Sequence, residues 1–571
     1  MDRVSALSPQ RRALHHKIFS TALANAKTCV ARDGDAAARW ALLSAEIADS
    51  MGCGTLMSAE LEELLLSLAA GIPLPTRGTP SSQRRWLHVF SETFGIGGHT
   101  ALATRWIAQD CGPDQHSLIL TFQEAKAVPD TLKSAVQSKG GSIHALGALK
   151  SLTERARRLR EIAWHDFDVV VLHIHMWDVV PLLAFGVPGG PPVLLLNHAD
   201  HTFWLGASVA DSVINLRQSS QEVTEKSRGV NRHDYLPIPL SPPTVETSSA
   251  ENTIRSELSI PAQAPVFLTV GSNFKYLKVG EIDFIGTACR LLEKVPTAYL
   301  IAVGPHADQP DWRAAHKATG GRLIAVGPQQ VLARYFAAAD IYLEGFPFGS
   351  LTALLEAGLA DLPCIRAPMA CPPPFTSDGE ALELLPQPET MAAYIDEAAA
   401  LAASPAGRRR QSVALKQAIY RVHLGARWQN SLDAIKAKIP AQHSIYRTAT
   451  QTYLPVWDQY WTPYLERKFN GDPLLYFYSL GSRYGLTVRP TLRMALASRA
   501  AASQDRPRGA PGPIALLLLG RLIEPIAGIL PYSRNQVNPG WWPRVILQYW
   551  YSRYIGWRFK GHNAKKNEIT T

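Results

Sequence analysis

The chain has 571 residues, a formal net charge of +10 and an ordinary hydrophobic content of 46%. This length predicts about two to four domains with large buried cores. The six cysteines are scattered, with no CxxC pair and no His/Cys cluster of zinc spacing, which excludes a structural zinc site and predicts reduced thiols in the cytosol.

No stretch has the composition of a targeting or membrane-spanning segment. Residues 1–17 lack an apolar core, so no signal peptide is predicted. The most apolar stretch, residues 513–532, is interrupted by Arg521 and Glu524, and no charge-free run is long enough to span a bilayer. The sequence therefore predicts a cytoplasmic protein.

Residues 1–80 are predicted to form an N-terminal helical module. Ala-rich and Leu-rich stretches recur there with helical periodicity, and Ser58 followed by Glu62 is typical of a helix start. Residues 71–82 are rich in Gly, Pro, Thr and Ser, which indicates a linker. We interpret the module as packing; steering of an acceptor or a partner is the alternative.

Residues 81–240 alternate strands and helices, which is typical of a doubly wound α/β lobe. Gly97 and Gly98, between the first strand and the first helix, let the backbone approach a ligand closely. The predicted strands are 86–90, 117–122, 141–146, 168–173, 192–196 and 211–216, and the helices are 99–109, 130–138 and 151–164.

Several histidines and one arginine follow the carboxyl ends of strands in this lobe, where doubly wound sheets bind ligands. They are His99, His173, His175, His198, His201 and Arg217. Three interpretations stay open. The histidines are metal ligands, or His198 or His201 is a general base for an acceptor hydroxyl, or they are hydrogen-bonded structural histidines.

A Pro-rich and polar stretch at 236–252 predicts a hinge between two lobes that close on substrate. Residues 251–440 then predict a second α/β lobe, in which Gly271 and Gly327 follow strands directly. The predicted strands are 265–270, 297–303, 323–326 and 341–343, and the predicted helices are 331–339, 351–359 and those from 389 to about 438.

The segment 339–365 carries the main functional signal. A buried strand is followed by a turn and by an amphipathic helix, and the free N–H groups at such a helix start bind anions such as a nucleotide diphosphate. Glu356 lies about one turn inside that helix, where a carboxylate suits a ribose diol because it accepts two hydrogen bonds. The anion would contact Gly349, Ser350, Leu351 and Thr352.

This segment strongly resembles the donor-binding signature of nucleotide-sugar glycosyltransferases with the GT-B fold. In that family a Phe-Pro-Phe-Gly or Glu-Gly-Phe-Gly turn precedes a Leu-Glu-Ala helix. The corresponding residues here are Phe346-Pro347-Phe348-Gly349 and Leu355-Glu356-Ala357. Glu344 and Glu356 are further apart than the glutamate pair of the common retaining enzymes, so Glu344 is not given that role. The spacing is more similar to the branch that includes protein O-GlcNAc transferase.

The resemblance covers residues 85–440 and implies two facing lobes, with the acceptor against the first and the donor in the second. It implies that Lys275 or Lys278 neutralises the donor diphosphate, which is electrostatic stabilisation of the leaving group. No metal and no cofactor are implied, because fixed positive groups replace them. The donor-binding residues that it implies are Gly97, Gly98, Gly271, Gly327, Gly349, Ser350, Leu351, Thr352 and Glu356.

Residues 441–571 form a basic extension rich in Trp and Tyr. From residue 446 onward, basic residues outnumber acidic ones by about eleven. Such a composition suits anionic lipid headgroups or a polyanion, so peripheral membrane contact is predicted. A globular appendage packed on the catalytic lobes is the alternative, and no nucleic-acid-binding motif is present.

The sequence thus predicts a GT-B protein with four regions, 1–80, 81–240, 251–440 and 441–571. The expected reaction moves a sugar from a nucleotide-sugar donor to an acceptor hydroxyl on a glycan, a lipid-linked carrier or a protein. Synthesis of bacterial surface polysaccharide or glycoconjugate is the expected setting. The alternatives are a nucleotide-sugar epimerase of the same fold and a catalytically inactive scaffold.

Overall fold

A computed structural model describes residues 9–79, 81–95, 97–242, 254–451, 453–467, 480–481 and 483–486. The chain divides into two compact units, Met1–Pro473 and Leu474–Thr571, and every element named below belongs to the first. Among the described residues, no helix is long and apolar enough to cross a membrane. The apolar stretch 513–532 and most of the basic extension lie outside the described residues.

Three helices precede the first sheet, as the sequence predicts. They are α1 (Pro9–Cys29), α2 (Gly34–Met51) and α3 (Ala59–Ala69). Asp33 accepts hydrogen bonds from backbone N–H groups at the start of α2, and Ser58 does the same for α3. These side chains satisfy donors that a helix start leaves without a backbone partner, so both helices begin where the sequence places a cap.

Two buried charges fix these helices to the first lobe. Glu62 is fully buried and accepts the N–H groups of residues 206–208 at 2.5–3.0 Å. Arg160, also fully buried, donates to the carbonyl groups of Ala69, Ile72, Pro73, Leu183 and Ala184. Because a buried charge is tolerated only when hydrogen-bonded, each contact ties the helical module to the lobe.

Substitution Glu62→Gln tests this docking. The amide keeps one acceptor oxygen and turns an N–H₂ group toward a backbone N–H, so we expect a loss of about 1–3 kcal/mol in the free energy of unfolding. The midpoint of the first unfolding transition in urea should move to a lower urea concentration. The exposed neighbour offers a control, since Glu63→Gln should change stability by less than about 0.5 kcal/mol. Equal effects of the two substitutions would contradict the docking role of Glu62.

The first lobe is a seven-stranded parallel sheet with the order β3-β2-β1-β4-β5-β6-β7. Its central strands are continuous apolar runs because helices cover both faces. The elements are β1 (Arg85–Phe90), α4 (Gly98–Gln109), β2 (Gln115–Leu120), α5 (Asp130–Ser138), β3 (Ile143–Ala145), α6 (Leu152–Asp166), β4 (Val169–His173), α7 (Val180–Phe185), β5 (Val193–Asn197), β6 (Ser212–Asn215), α8 (Ser219–Lys226) and β7 (His233–Tyr235). The sequence did not predict β7.

The second lobe is a five-stranded parallel sheet with the order β10-β9-β8-β11-β12. The elements are β8 (Val266–Val270), α9 (Phe284–Lys294), β9 (Tyr299–Val303), α10 (Pro310–Ala318), β10 (Leu323–Ala325), α11 (Ala333–Ala338), β11 (Ile341–Leu343), α12 (Leu351–Leu359), β12 (Cys364–Ile365), α13 (Met391–Ala403), α14 (Pro405–His423), α15 (Gly425–Lys438) and α16 (Asp458–Arg467). The prediction of two doubly wound α/β lobes behind a helical module is confirmed.

Helices α14 and α15 return to the first lobe and fasten the hinge. The indole N–H of Trp428 donates to the carbonyl of Pro237 at 2.9 Å, and His423 Nδ1 lies 2.9 Å from the carbonyl of Ile238. Further along α15, Lys436 Nζ lies 2.7 Å from carboxylate oxygens of Asp110 and Asp114. The two lobes are therefore joined by these side chains as well as by the linker.

Candidate functional site

Four of the six predicted strand-end residues of the first lobe come together. The rings of His99 and His198 are stacked with centroids 4.1 Å apart, and His99 lies 6.4 Å from His175 and 6.3 Å from His173. His99, His175 and His198 are half-buried, whereas His173 is fully buried. This arrangement follows from the sheet order, because β1, β4 and β5 are neighbouring parallel strands and their carboxyl ends share one edge.

The imidazoles of this cluster are neutral at physiological pH. Burial lowers the pKa of His198 and of His175 to about 4, with a contribution from neighbouring histidines. Burial and the nearby His198 hold the pKa of His99 well below its usual range. A neutral imidazole has a free ring lone pair, so each ring can accept a proton from a substrate hydroxyl.

The geometry does not assemble a metal site from these side chains. Within the described ranges, no group of three or more His, Cys, Asp or Glu residues is arranged to hold a metal ion. The two remaining interpretations of the cluster, proton transfer and structural hydrogen bonding, both use neutral imidazole.

His201 and Arg217 lie apart from the cluster and face the second lobe. His201 packs edge-on against Trp461, with centroids 4.5 Å apart, and its Nδ1 lies 3.2 Å from Asp200. Arg217 donates to the carbonyl of Pro374 in the second lobe, and its Nε lies 3.6 Å from Asp200. Arg217 therefore bridges the lobes, and His201 is placed against aromatic rings.

The predicted anion site lies where β11 passes into α12. The side chain of Ser350 does not cap the first turn of the helix, so it leaves the first N–H groups of α12 without the usual acceptor. The N–H of Gly349, which the sequence also assigns to the anion, donates instead to the carbonyl of Phe375. The helix dipole adds a partial positive charge at this end. A Cβ atom at Gly349 would collide with the carboxylate of Glu344 and the carbonyl of Phe375, so this turn requires glycine for packing.

The two candidate lysines occupy different environments. Lys275 Nζ donates to the carbonyl of Gly349 at 3.1 Å, beside the start of α12. Burial, together with the nearby charge of Arg217, lowers the pKa of Lys275 to about 8. Lys278 is exposed and pairs with Asp283 at 3.1 Å, which holds it at the start of α9. Lys275, and not Lys278, thus lies beside the predicted anion site.

Glu356 is engaged by a residue of the opposite lobe. Its carboxylate forms an ion pair with Arg105 on α4, and both side chains are about four-fifths buried. Glu344 is fully buried and accepts the N–H groups of Ala367 at 2.8 Å and Ser377 at 2.9 Å. Glu344 therefore holds a loop in place.

The predicted glycines of the second lobe follow the carboxyl ends of two strands of its sheet. Gly271 follows β8 and Gly327 follows β10, with β9 between the two strands. In the first lobe, Gly97 has a φ of +130°, and added Cβ atoms at Gly97 and Gly98 would meet open space. The backbone is accessible at the Gly97–Gly98 turn, so a ligand can approach it there.

An aromatic cluster beside the anion site was missed by the sequence prediction. It consists of Phe348, Phe375, Trp457, Trp461 and Tyr464. Trp461 lies 5.5 Å from Phe348 and 5.9 Å from Phe375, measured between ring centroids. The enrichment of Trp and Tyr after residue 446 is the available signal, and it leaves open a membrane surface or an appendage packed on the lobes. The described part of the extension buries Trp457 and Trp461.

Two more histidines continue the cluster inward and were also missed. His88, in β1, and His116, in β2, are fully buried and hydrogen-bonded in line with His173. Each lies in a strand that is otherwise mainly apolar and is buried over all but its first residue, and a histidine in such a strand was the signal in the sequence.

Comparisons with known proteins give only remote structural likeness. No protein-family model and no curated protein matches the chain. An O-GlcNAc transferase mutant of Thermobaculum terrenum is 14% identical, with 81% of this chain and 86% of that chain covered and a TM-score of 0.43. Anabaena Alr3699/HepE in complex with UDP and glucose is 15% identical, with coverages of 62% and 99% and a TM-score of 0.44.

A glycosyltransferase from Rickettsia africae is 11% identical, with 63% of this chain and 98% of that chain covered and a TM-score of 0.45. At these identities and scores, no function is taken from the likeness. The chain's own topology carries the conclusion on fold, because it has two parallel, doubly wound sheets joined by a hinge and by returning helices. This is the GT-B architecture that the sequence predicts.

Proposed function

We propose that this protein is a glycosyltransferase that moves a sugar from a nucleotide-sugar donor to an acceptor hydroxyl. The observation that supports it best is the position of Lys275 at the start of α12, with Arg217 of the opposite lobe nearby. Lys275 lies beside Gly349, and the charge of Arg217 is close enough to lower the pKa of Lys275. Asp200, 3.6 Å from Arg217, offsets part of this positive charge, and a bound diphosphate would offset the rest.

In the proposed reaction, the second lobe binds the donor and the first lobe acts on the acceptor. The first N–H groups of α12 and the ammonium of Lys275 hold the diphosphate, and they stabilise the charge that develops on the leaving nucleotide. Glu356 binds the ribose after it exchanges Arg105 for the two hydroxyl groups. A neutral imidazole of the first-lobe cluster takes the proton of the acceptor hydroxyl. In this proposal, Lys275 and Arg217 supply the charge that a divalent metal would otherwise bring.

The acceptor that we propose is a hydroxyl of a glycan, a lipid-linked carrier or a protein, in bacterial surface polysaccharide or glycoconjugate synthesis. The Ala-rich and Arg-rich composition motivates the bacterial setting. We also propose a cytoplasmic location with peripheral membrane contact through residues 441–571, on the strength of their basic and aromatic composition. Vesicle flotation with and without anionic lipid tests the membrane contact, and equal flotation in both would contradict it.

Thermal unfolding in the presence of a panel of sugar nucleotides tests the donor site. A ligand that binds the native state at 100 times its Kd adds about 2.7 kcal/mol of stability, so at least one UDP-, GDP-, ADP-, dTDP- or CMP-sugar should raise Tm. The stabilising donor is then incubated with acceptor mixtures, and sugar transfer is measured. Conversion of the donor without any acceptor would indicate an epimerase instead.

A catalytically inactive scaffold is the second candidate, and one observation favours it. The Arg105–Glu356 ion pair occupies the carboxylate that the ribose would need. A scaffold would retain nucleotide binding without turnover against any acceptor. Transfer of sugar by the wild-type protein excludes this candidate.

The pKa of Lys275 predicts how nucleotide affinity depends on pH. The ammonium form attracts the diphosphate, and it is lost as the pH rises through about 8 in the free protein. Binding of the anion favours the charged form, so nucleotide affinity should be high at pH 7 and fall between pH 8 and pH 10. Calorimetric titration at these values measures it. A nucleotide affinity that stays constant from pH 7 to pH 10 would show that the charge of Lys275 does not contribute to binding.

A further inference from the structure

A line of hydrogen-bonded histidines runs diagonally across β4, β1 and β2 of the first-lobe sheet. It starts at the carboxyl ends of the strands, where the histidine cluster lies, and runs toward their amino ends. His173 Nε2 lies 2.8 Å from His88 Nδ1, His88 Nε2 lies 2.9 Å from His116 Nδ1, and His116 Nε2 lies 3.1 Å from Asp110 Oδ2. All four side chains are fully buried. We call these four residues the histidine column.

The register of the sheet produces this line. His88 pairs with Leu118 on β2 and with Val171 on β4. His116 stands two residues before Leu118, and His173 stands two residues after Val171. Because alternate residues of a strand share a face, the three imidazoles lie on one face along a diagonal across three neighbouring strands.

The carboxylate at one end fixes the position of every proton in the column. Burial opposes ionisation of Asp110, but hydrogen bonds from His116 and Lys436 outweigh it and hold the pKa of Asp110 well below its usual range. A carboxylate only accepts hydrogen bonds, so His116 carries its proton on Nε2. His88 must then carry its proton on Nε2, and His173 must do the same.

This assignment leaves a lone pair on Nδ1 of His173. That atom is buried and has no hydrogen-bond partner among the described residues. In a purely structural network, the groups at both ends would have hydrogen-bond partners. Here the Asp110 end, which we call the closed end, is paired with Lys436. The His173 end, which we call the open end, has a ring nitrogen without a partner among the described residues.

The open end lies next to the half-buried imidazoles that face the cleft. The centroids of His99 and His173 are 6.3 Å apart, compared with 5.1 and 5.2 Å for the two hydrogen-bonded pairs of the column. His99 is thus about 1 Å farther away than a bonded neighbour. Its own Nε2 is likewise buried without a partner among the described residues.

We propose that the histidine column is a proton relay that receives the acceptor's hydroxyl proton at Nδ1 of His173 and places the resulting positive charge on His116, beside Asp110. This inference rests on the proposed function for the source of the proton. An outer imidazole, His99 or His198, takes the proton from the hydroxyl as the oxygen bonds to the sugar carbon, and passes it to His173.

The relay balances without any further reactant. As Nδ1 of His173 gains a proton, its Nε2 proton moves to Nδ1 of His88, and the Nε2 proton of His88 moves to Nδ1 of His116. His116 then carries two N–H groups and a positive charge, next to the Asp110 carboxylate. The outer imidazole returns to its neutral form and the nucleotide diphosphate leaves with its electron pair. His88, His116 and Asp110 act as positioning residues, because they do not touch substrate.

The other charged groups at the closed end balance one another, with two carboxylates and two lysines. Lys436 contacts both oxygens of Asp110 and also pairs with Asp114, which accepts the indole N–H of Trp86. Lys139 donates to the backbone carbonyl of Asp110. At the open end, the facing titratable groups are His99, His175 and His198. The cations therefore lie with Asp110, and the cleft end holds neutral rings.

Substitution Asp110→Asn should reverse the column and keep the contact with His116, at the cost of one hydrogen bond, the one from Lys436 Nζ to Oδ2 at 2.7 Å. Lys436, Gly112 and Gln429 all donate to Oδ1 at 2.9–3.4 Å, so the amide oxygen takes that position and the amide N–H₂ faces His116. His116 must then accept at Nε2, and each proton moves to the other ring nitrogen along the column. Nδ1 of His173 then carries a proton and can no longer accept one from an outer imidazole.

The test combines two readouts on the full-length protein. Nitrogen-15 NMR of histidine-labelled protein should show His173 protonated on Nε2 in the wild type and on Nδ1 in Asp110→Asn. The variant should lose about 100-fold or more in kcat for sugar transfer, with its Kd for the stabilising sugar nucleotide unchanged within about twofold. His88→Gln, which can hydrogen-bond on both sides but cannot pass a proton, should lose kcat in the same way.

Asp114→Asn is the matched control, because it alters the other carboxylate on Lys436 and leaves the column intact. Its kcat should stay within about threefold of the wild type. Equal losses in Asp110→Asn and Asp114→Asn, a loss in donor affinity instead of kcat, or a wild-type His173 protonated on Nδ1 would each overturn the relay. If the wild-type protein transfers no sugar, the proposed function fails and the relay fails with it; failure of the relay alone leaves wild-type transfer intact.

Discussion

Replacing Lys275 by alanine should weaken binding of the sugar nucleotide by about 10- to 100-fold. A charge-assisted hydrogen bond contributes about 1.5–3 kcal/mol, and every 1.4 kcal/mol corresponds to about tenfold in Kd. Lys275 is half-buried beside Gly349 and near Arg217. Calorimetric titration of the stabilising sugar nucleotide at pH 7 measures the effect.

Lys278→Ala is the matched control for this prediction. Lys278 is three residues away, is exposed and pairs with Asp283, so its loss should change Kd by less than about threefold, as expected for a surface ion pair. If both substitutions weaken binding equally, the loop contributes only a diffuse positive field. If only Lys278→Ala weakens it, the diphosphate binds on the other side of the loop and the assignment is wrong.

Replacing Glu356 by alanine should also raise the donor Kd by about tenfold or more. A carboxylate that accepts two ribose hydroxyls makes two charge-assisted hydrogen bonds, each contributing about 1.5–3 kcal/mol when fully formed. Part of this is offset, because the free protein must first break the ion pair with Arg105. A donor analogue that lacks the ribose hydroxyls should bind the wild type and Glu356→Ala with similar affinity.

Arg105→Ala separates ribose binding from closure of the lobes. If Glu356 binds ribose, removal of Arg105 frees the carboxylate, and the affinity for the donor stays the same or increases. If Glu356 only fastens the lobes together, both substitutions remove the same ion pair and shift Kd alike. The second result would contradict the ribose assignment and would favour the scaffold.

The strands and the main turn could be predicted from local sequence. Residues 341–343 are apolar and bounded by charges, and 351–359 have helical periodicity, so β11 and α12 appear where expected. β7 could not be predicted in this way, since His233, Asp234 and Tyr235 are polar, half-buried residues of an edge strand. Its pairing with β6 depends on the rest of the sheet.

The site depends on contacts that local sequence does not specify. The choice between Lys275 and Lys278 follows from the tight turn at Asn273–Tyr276, which directs one lysine inward. The pairing of Arg105 with Glu356 joins residues 251 positions apart. His88 and His116 meet His173 through the register of three strands, and only the presence of histidines in apolar strands hints at it.

The structure of a complex with the diphosphate form of the stabilising nucleotide tests the central claim most directly. The measured quantities are the distances from the pyrophosphate oxygens to the first N–H groups of α12 and to Lys275 Nζ. We predict that they fall within hydrogen-bond range, at about 2.7–3.2 Å, with Arg217 on the opposite side. A pyrophosphate bound elsewhere, with the start of α12 covered by protein side chains, would contradict the assignment.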